Sequence, residues 1–120
     1  MELEFRTLIK SACPIVTNID WGIAADNQSY PNIVMNLIYG SSTHSYKGKI
    51  PFNTTTIQVD VYATTMAQAV EIKNQILTLD GFRHGITIKS IFLDKLRQDV
   101  EVYGNTKIYR YSLDFNLTHS

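Results

Sequence analysis

Two aspartates, Asp60 and Asp114, stand at the polar positions of two alternating apolar and polar stretches, and Arg110 precedes the second of them. Carboxylates facing one another on neighbouring strands can share a proton and act as an acid–base pair. A carboxylate near a guanidinium instead makes a cross-strand ion pair or meets a neighbouring subunit. Arg110, on the same strand face as Asp114, favours the ion pair. Cys13 is the only cysteine of the chain, which excludes an internal disulfide and suits a reducing compartment. Pairing it with His44 or His84 as a nucleophile would require a proximity that their spacing does not encode, so a buried structural thiol is the expectation. His44, His84 and His119 share no short spacing with one another or with Cys13, and no metal site is expected. No glycine-rich turn joins a strand to a helix, so no phosphate cradle and no cofactor are expected either. Tyr30, Tyr39, Tyr46, Tyr62, Tyr103, Tyr109 and Tyr111 are numerous for a short chain. Those in loops suit a protein interface, and they lack the interleaved basic residues of a nucleic-acid platform.

The elements that must position these residues are legible in the apolar spacing. From Ile57 to Ala63, Ile57, Val59, Val61 and Ala63 alternate with Gln58, Asp60 and Tyr62, a strand with one face on a core. Thr65 and Gln68 form a Thr-x-x-Gln capping box, and Met66, Ala69, Val70, Lys73, Ile76 and Leu77 recur at helical spacing until Gly81 stops the helix. Leu3, Phe5, Leu8, Ile9 and Ala12 mark a first helix ended by Pro14, expected beside the second. Thr17 to Asn32 is rich in turn formers and reads as an irregular segment anchored by Trp21. Ile33 to Tyr39 reads as a strand, followed by a polar loop or flared hairpin tip. Ile86 to Leu93 and Thr106 to Thr118 read as strands of a long hairpin, separated by a charged linker from Asp94 to Asn105. In the last strand Tyr109, Tyr111, Leu113, Phe115 and Leu117 share one face, and Arg110, Ser112, Asp114 and Asn116 the other.

The fold class that follows is α+β: a two-layer domain with a mainly antiparallel sheet of about four strands and two helices on one face. A chain of 120 residues makes one domain, spanning 1–120. Lys plus Arg and Asp plus Glu are 11 each, so no net field draws the protein onto nucleic acid or an anionic membrane. Met-Glu-Leu-Glu-Phe-Arg at the start is unlike a secretory signal, and no apolar run approaches the roughly 20 residues of a membrane span. A soluble cytoplasmic product without membrane contact is expected.

Three stretches together resemble the phage tail completion family of long-tailed phages, prophages and gene transfer agents. They are Gln58-Val-Asp-Val-Tyr-Ala63, the threonine-led helix with Ala67-Gln-Ala-Val70 ending in Leu79-Asp-Gly-Phe82, and Tyr109-Arg-Tyr-Ser-Leu-Asp-Phe115. Tyr30-Pro31 before the first strand fits as well. The resemblance spans residues 55–82, 85–93 and 103–115 and implies a non-enzymatic tail terminator, a hexameric ring on the head-proximal end of the tail tube. Its implied partners are further copies of itself, the tail tube protein and the head connector or stopper, with DNA only passing through the lumen. The implied location is the neck of the virion, assembled in the cytoplasm of a bacterial host. A mixed-charge sheet face suits ring closure, since charged pairs set register between copies. Gln58, Asp60, Arg110 and Asp114 are accordingly expected at subunit contacts. Loops 41–53 and 95–105, with Tyr46, Lys47, Lys49, Arg97, Asp99 and Tyr103, are expected to reach neighbouring rings. The alternatives are a head-to-tail joining protein one layer higher, a small ligand-binding α+β domain with convergent polar groups in an apolar pocket, and a nucleic-acid-binding module, which the neutral charge disfavours.

Overall fold

The computed structural model describes residues 2–16, 18–22, 31–45, 48–83, 85, 87–103 and 105–119. Along the chain run α1 (Glu2–Ala12), β1 (Asn18–Trp21), β2 (Asn32–Ser45), β3 (Gly48–Ala63), α2 (Met66–Leu77), β4 (Ile88–Tyr103) and β5 (Thr106–His119). The strands form one sheet in the order β1-β2-β3-β5-β4. β1 lies parallel to β2 and the other neighbours are antiparallel, so the sheet is mainly antiparallel, as expected, but mixed and five-stranded where about four strands were expected. The α+β class stands.

Helix α1 begins with Glu2 and Glu4 and has Lys10 in its last turn, charges that suit the two ends of the helix dipole. It stops at Ala12, because Pro14 disfavours helical backbone at the residue before it. Phe5 and Ile9 are buried, whereas Leu3, which the spacing placed on the same stripe, is 79% exposed. Helix α2 shows the Thr65 half of its capping box, with Thr65 Oγ1 accepting from Gln68 N–H at 3.2 Å. Ala69, Ile72 and Ile76 are its buried positions. The helix ends at Leu77, before the predicted stop: Thr78 caps it, and Gly81, at φ 86°, closes the turn that follows. Gly81 N–H then bonds Ile91 C=O at 2.8 Å, so the left-handed residue docks the helix end onto β4.

Both helices contact the same side of the sheet. Phe5 of α1 meets Phe115 edge to face with centroids 6.0 Å apart, and Lys73 of α2 sits 5.2 Å above the Tyr111 ring. Phe115 and Tyr111 are four residues apart on β5 and so share a face. Against them lie Ile33 and Met35 of β2 and Ile57, Val59 and Val61 of β3, all fully or nearly fully buried. The helices also touch each other, as expected. Glu4 fastens α1 to the start of β4, its carboxylate accepting from Thr87 N–H and Thr87 Oγ1 at 2.9 Å each and from Ile88 N–H at 3.2 Å. Gly85 lies so close that a Cβ there would collide with Glu4 Oε1 and the Ile88 carbonyl.

Two stretches read as irregular or linker contain strand, and the one read as a loop or flared hairpin tip is the hairpin. Residues 18–21 of the Thr17 to Asn32 segment form β1, in which Ile19 is buried and Trp21 packs on the core as its predicted anchor. The polar stretch after Tyr39 continues β2 to Ser45 and returns as the start of β3, so His44↔Lys49 and Ser45↔Gly48 pair beyond the Asn53↔His119 end of the β3–β5 ladder. The charged stretch from Asp94 to Tyr103 is the second half of β4, paired throughout with β5. A register shift between Leu93 and Lys95 leaves Asp94 unpaired, an inserted residue of the β-bulge type. The β2–β3 hairpin overshoots the sheet at one end and the β4–β5 hairpin at the other, giving a molecule of 59 × 23 × 22 Å.

Candidate functional site

The face of the sheet away from the helices carries the polar positions. Because pairing places opposed residues on the same side, three rows run across β2, β3, β5 and β4. They are Asn32, Tyr62, Arg110 and Asp99; then Val34, Asp60, Ser112 and Arg97; then Asn36, Gln58, Asp114 and Lys95. Asp60, Ser112 and Asp114 are buried at 4%, 6% and 8% exposure, so this face is a packed polar layer and not a freely solvated one. Buried charge requires partners. Asp60 accepts from Ser112 Oγ at 2.6 Å and meets Arg110 Nη2 at 3.3 Å, while Arg97 Nη2 lies 3.4 Å from both oxygens of Asp114.

Arg110 is the hub. Its guanidinium lies 5.7 Å from the Tyr62 ring centroid, an attraction between cation and ring quadrupole, and 3.9 Å from Glu101. Partial burial alone would lower its pKa, but Asp60, Tyr62 and Glu101 outweigh that and hold it above its ordinary value. Its Nε has no hydrogen-bond partner among the described residues. Beside it opens a cleft of about 270 Å³ lined by Gln58, Arg97, Gln98, Asp99, Arg110 and Ser112.

The structure therefore brings together residues that the sequence assigned to separate roles. Gln58, Asp60, Arg110 and Asp114 do share one face, and Arg97 and Asp99 join them from strand β4 rather than from a loop. Tyr103 is likewise the last position of β4, and Lys49 belongs to β3. Tyr46 and Lys47 lie outside the described residues. Asp60 and Asp114 do not face each other: Asp60 is opposite Ser112 and Asp114 opposite Gln58, and each carboxylate has its own arginine. The sequence reading missed Glu101 and the Ser112 bond to Asp60. The signal for both was parity: Glu101 alternates with Val100 and Val102, and Ser112 stands between Arg110 and Asp114.

Cys13 is fully buried and donates from Sγ to Ile9 C=O at 3.0 Å, the structural thiol expected. Burial pushes its pKa from 9.0 to about 11, which suppresses the thiolate a nucleophile needs. His119 Nε2 lies 2.7 Å from Thr55 Oγ1 at the far end of the β3–β5 ladder. Among the described residues no group of three or more His, Cys, Asp or Glu could hold a metal ion. No helix among them is long and apolar enough to cross a membrane. The sequence matches no protein-family model and no curated protein.

Proposed function

We propose that this chain is a structural assembly protein of the phage tail completion type, a tail terminator that closes as a hexameric ring on the head-proximal end of a tail tube. The ground is the likeness of residues 55–82, 85–93 and 103–115 to that family. The observation that carries it is the polar layer of β3, β5 and β4, whose buried carboxylates are held by arginines instead of converging on an apolar pocket. Such a layer is rigid, mixed in charge and wide enough for shape and charge to set register between copies. The two overshooting hairpins lie at opposite ends of the long axis and suit contacts to the rings above and below, the tube protein and the head connector. Gln58 and the exposed sides of Arg97 and Asp99 are the face's contact points in this reading. Asp60 and Asp114 act behind them, by fixing Arg110 and Arg97.

The test is electron microscopy of lysates from a phage or prophage lacking this gene. Filled heads beside detached or over-long tails support tail completion, and normal infectious particles refute it. A charge reversal at Asp114 is a poor substitute for that test, because the carboxylate is buried against Arg97 and its loss disturbs the fold itself.

A further inference from the structure

The second half of β4 is a sheet edge. Residues 80–83 cover its first half through Gly81 N–H to Ile91 C=O, Ile91 N–H to Phe82 C=O and Leu93 N–H to Asp80 Oδ1. From Asp94 to Val100 every residue is exposed, and no strand among the described residues pairs with this side of β4. Val100 N–H is held at 2.8 Å by the carboxylate of Asp99 and so turns away from β5. By strand alternation the main-chain groups of Leu96, Gln98 and Val102 turn outward with it.

The side chains along this edge form a reversed copy of themselves. Around Gln98 the order is Lys95, Leu96, Arg97, Gln98, Asp99, Val100, Glu101: two cations before the centre, two anions after it, and an apolar residue on each side. We propose that β4 pairs antiparallel with β4 of a second copy about a two-fold axis through Gln98, joining two sheets into one. Lys95 then faces Glu101 of the second copy, Arg97 faces its Asp99, and Leu96 faces its Val100. The outward main-chain groups fit this register once the Asp99 carboxylate releases Val100 N–H and turns to Arg97 of the second copy, since Gln98 with Gln98 and Leu96 with Val100 are hydrogen-bonding pairs of an antiparallel ladder. Leu96 and Val100, 42% and 44% exposed, lose water on the helix side of the sheet, next to Met66, whose Sδ lies 3.3 Å from Gln98 Nε2. A register moved by two residues sets Lys95 against Asp99 but leaves Arg97 facing Arg97 at the axis, and like charges directly opposed are destabilising. A two-fold pair closes on itself, which guards an edge that would otherwise template open-ended association. The inference does not depend on the tail-terminator role: neighbours in a cyclic ring are related head to tail and not by a two-fold axis, so the pair is a state of the free protein that parts before any ring closes.

Sedimentation equilibrium over a wide concentration range tests it, alongside Lys95→Glu, Glu101→Lys and their double variant, each checked for folding by circular dichroism. The expectation is a wild-type dimer and dissociation constants raised about tenfold or more by either single reversal, since each alters two symmetry-related contacts. The double variant, which restores opposite charges across the axis, recovers the dimer. Gln98→Cys should form an intermolecular disulfide on mild oxidation, because a hydrogen-bonded antiparallel pair holds its Cα atoms about 5.5 Å apart. A wild type that is monomeric throughout, a dimer indifferent to the reversals, or a ring with no Gln98→Cys cross-link overturns the proposal.

Discussion

Asp60→Ala is the sharpest probe of the polar layer. It removes the acceptor of the 2.6 Å Ser112 bond and the anion 3.3 Å from Arg110. Breaking a well-buried pair costs about 3–5 kcal/mol, because a charge is left stranded. Here the Arg110 side chain is 26% exposed and keeps Glu101 at 3.9 Å, so solvent and the second anion offset part of that loss. The lost charge-assisted hydrogen bond is worth roughly 1.5–3 kcal/mol, and about 3 kcal/mol is expected for the whole change. With a urea m-value of about 2 kcal/mol/M, the unfolding midpoint falls by roughly 1.5 M. Asp60→Asn keeps an acceptor for Ser112 and should lose about half as much. Arg110→Ala strands Asp60 in turn, so the double variant Asp60→Ala with Arg110→Ala should be more stable than the sum of the singles by about 1–2 kcal/mol. Additivity within about 0.5 kcal/mol would refute the coupling and make Asp60 an isolated carboxylate.

Glu4→Ala leaves Thr87 and Ile88 without their carboxylate acceptor and should lower stability by about 2–3 kcal/mol in urea melts. Gly85→Ala, at the same junction, should lose about 1–3 kcal/mol, and in the Glu4→Ala background less, because one of the two colliding atoms is gone. Cys13 binds its proton more tightly folded than unfolded, so its contribution is complete below pH 9.0 and is lost as pH rises towards about 11. Wild type should therefore lose about 2–3 kcal/mol more than Cys13→Ala across that window, read by denaturant melts at each pH. Thr65→Ala removes the cap of α2 and should lower stability by about 1 kcal/mol, recovered in large part by Thr65→Asn.

The strands with one face on the core announced themselves: Ile57 to Ala63 and Tyr109 to Leu117 alternate because the helices need every second side chain. The hairpin arm around His44↔Lys49 was legible only as a loop or flared hairpin tip, since it pairs beyond the Asn53↔His119 end of the ladder and its polar residues carry no alternation. The edge of β4 was written in period two all along, with Leu96, Val100 and Val102 between Lys95, Arg97, Asp99 and Glu101. Its charge density disguised it as a linker. β1 was hidden differently, being four residues long and set among turn formers, with Ile19 deeply buried. At the site, the shared face of Asp60, Arg110 and Asp114 followed from parity, but which carboxylate takes which arginine depends on the register between strands, and no single strand encodes that.

The place of β5 in the sheet has a consequence for synthesis. It is made after the other four strands, yet it sits between β3 and β4, which are not neighbours in the sheet. A nascent chain ending near Tyr103 therefore holds the β2–β3 hairpin and a solitary β4, each with an open flank. Phe115 has not yet arrived beneath Phe5, nor Ser112 and Arg110 beside Asp60. The ribosome must deliver the chain through His119 before the sheet can close, so folding waits on the last strand, and until then the exposed flanks depend on chaperones or on speed.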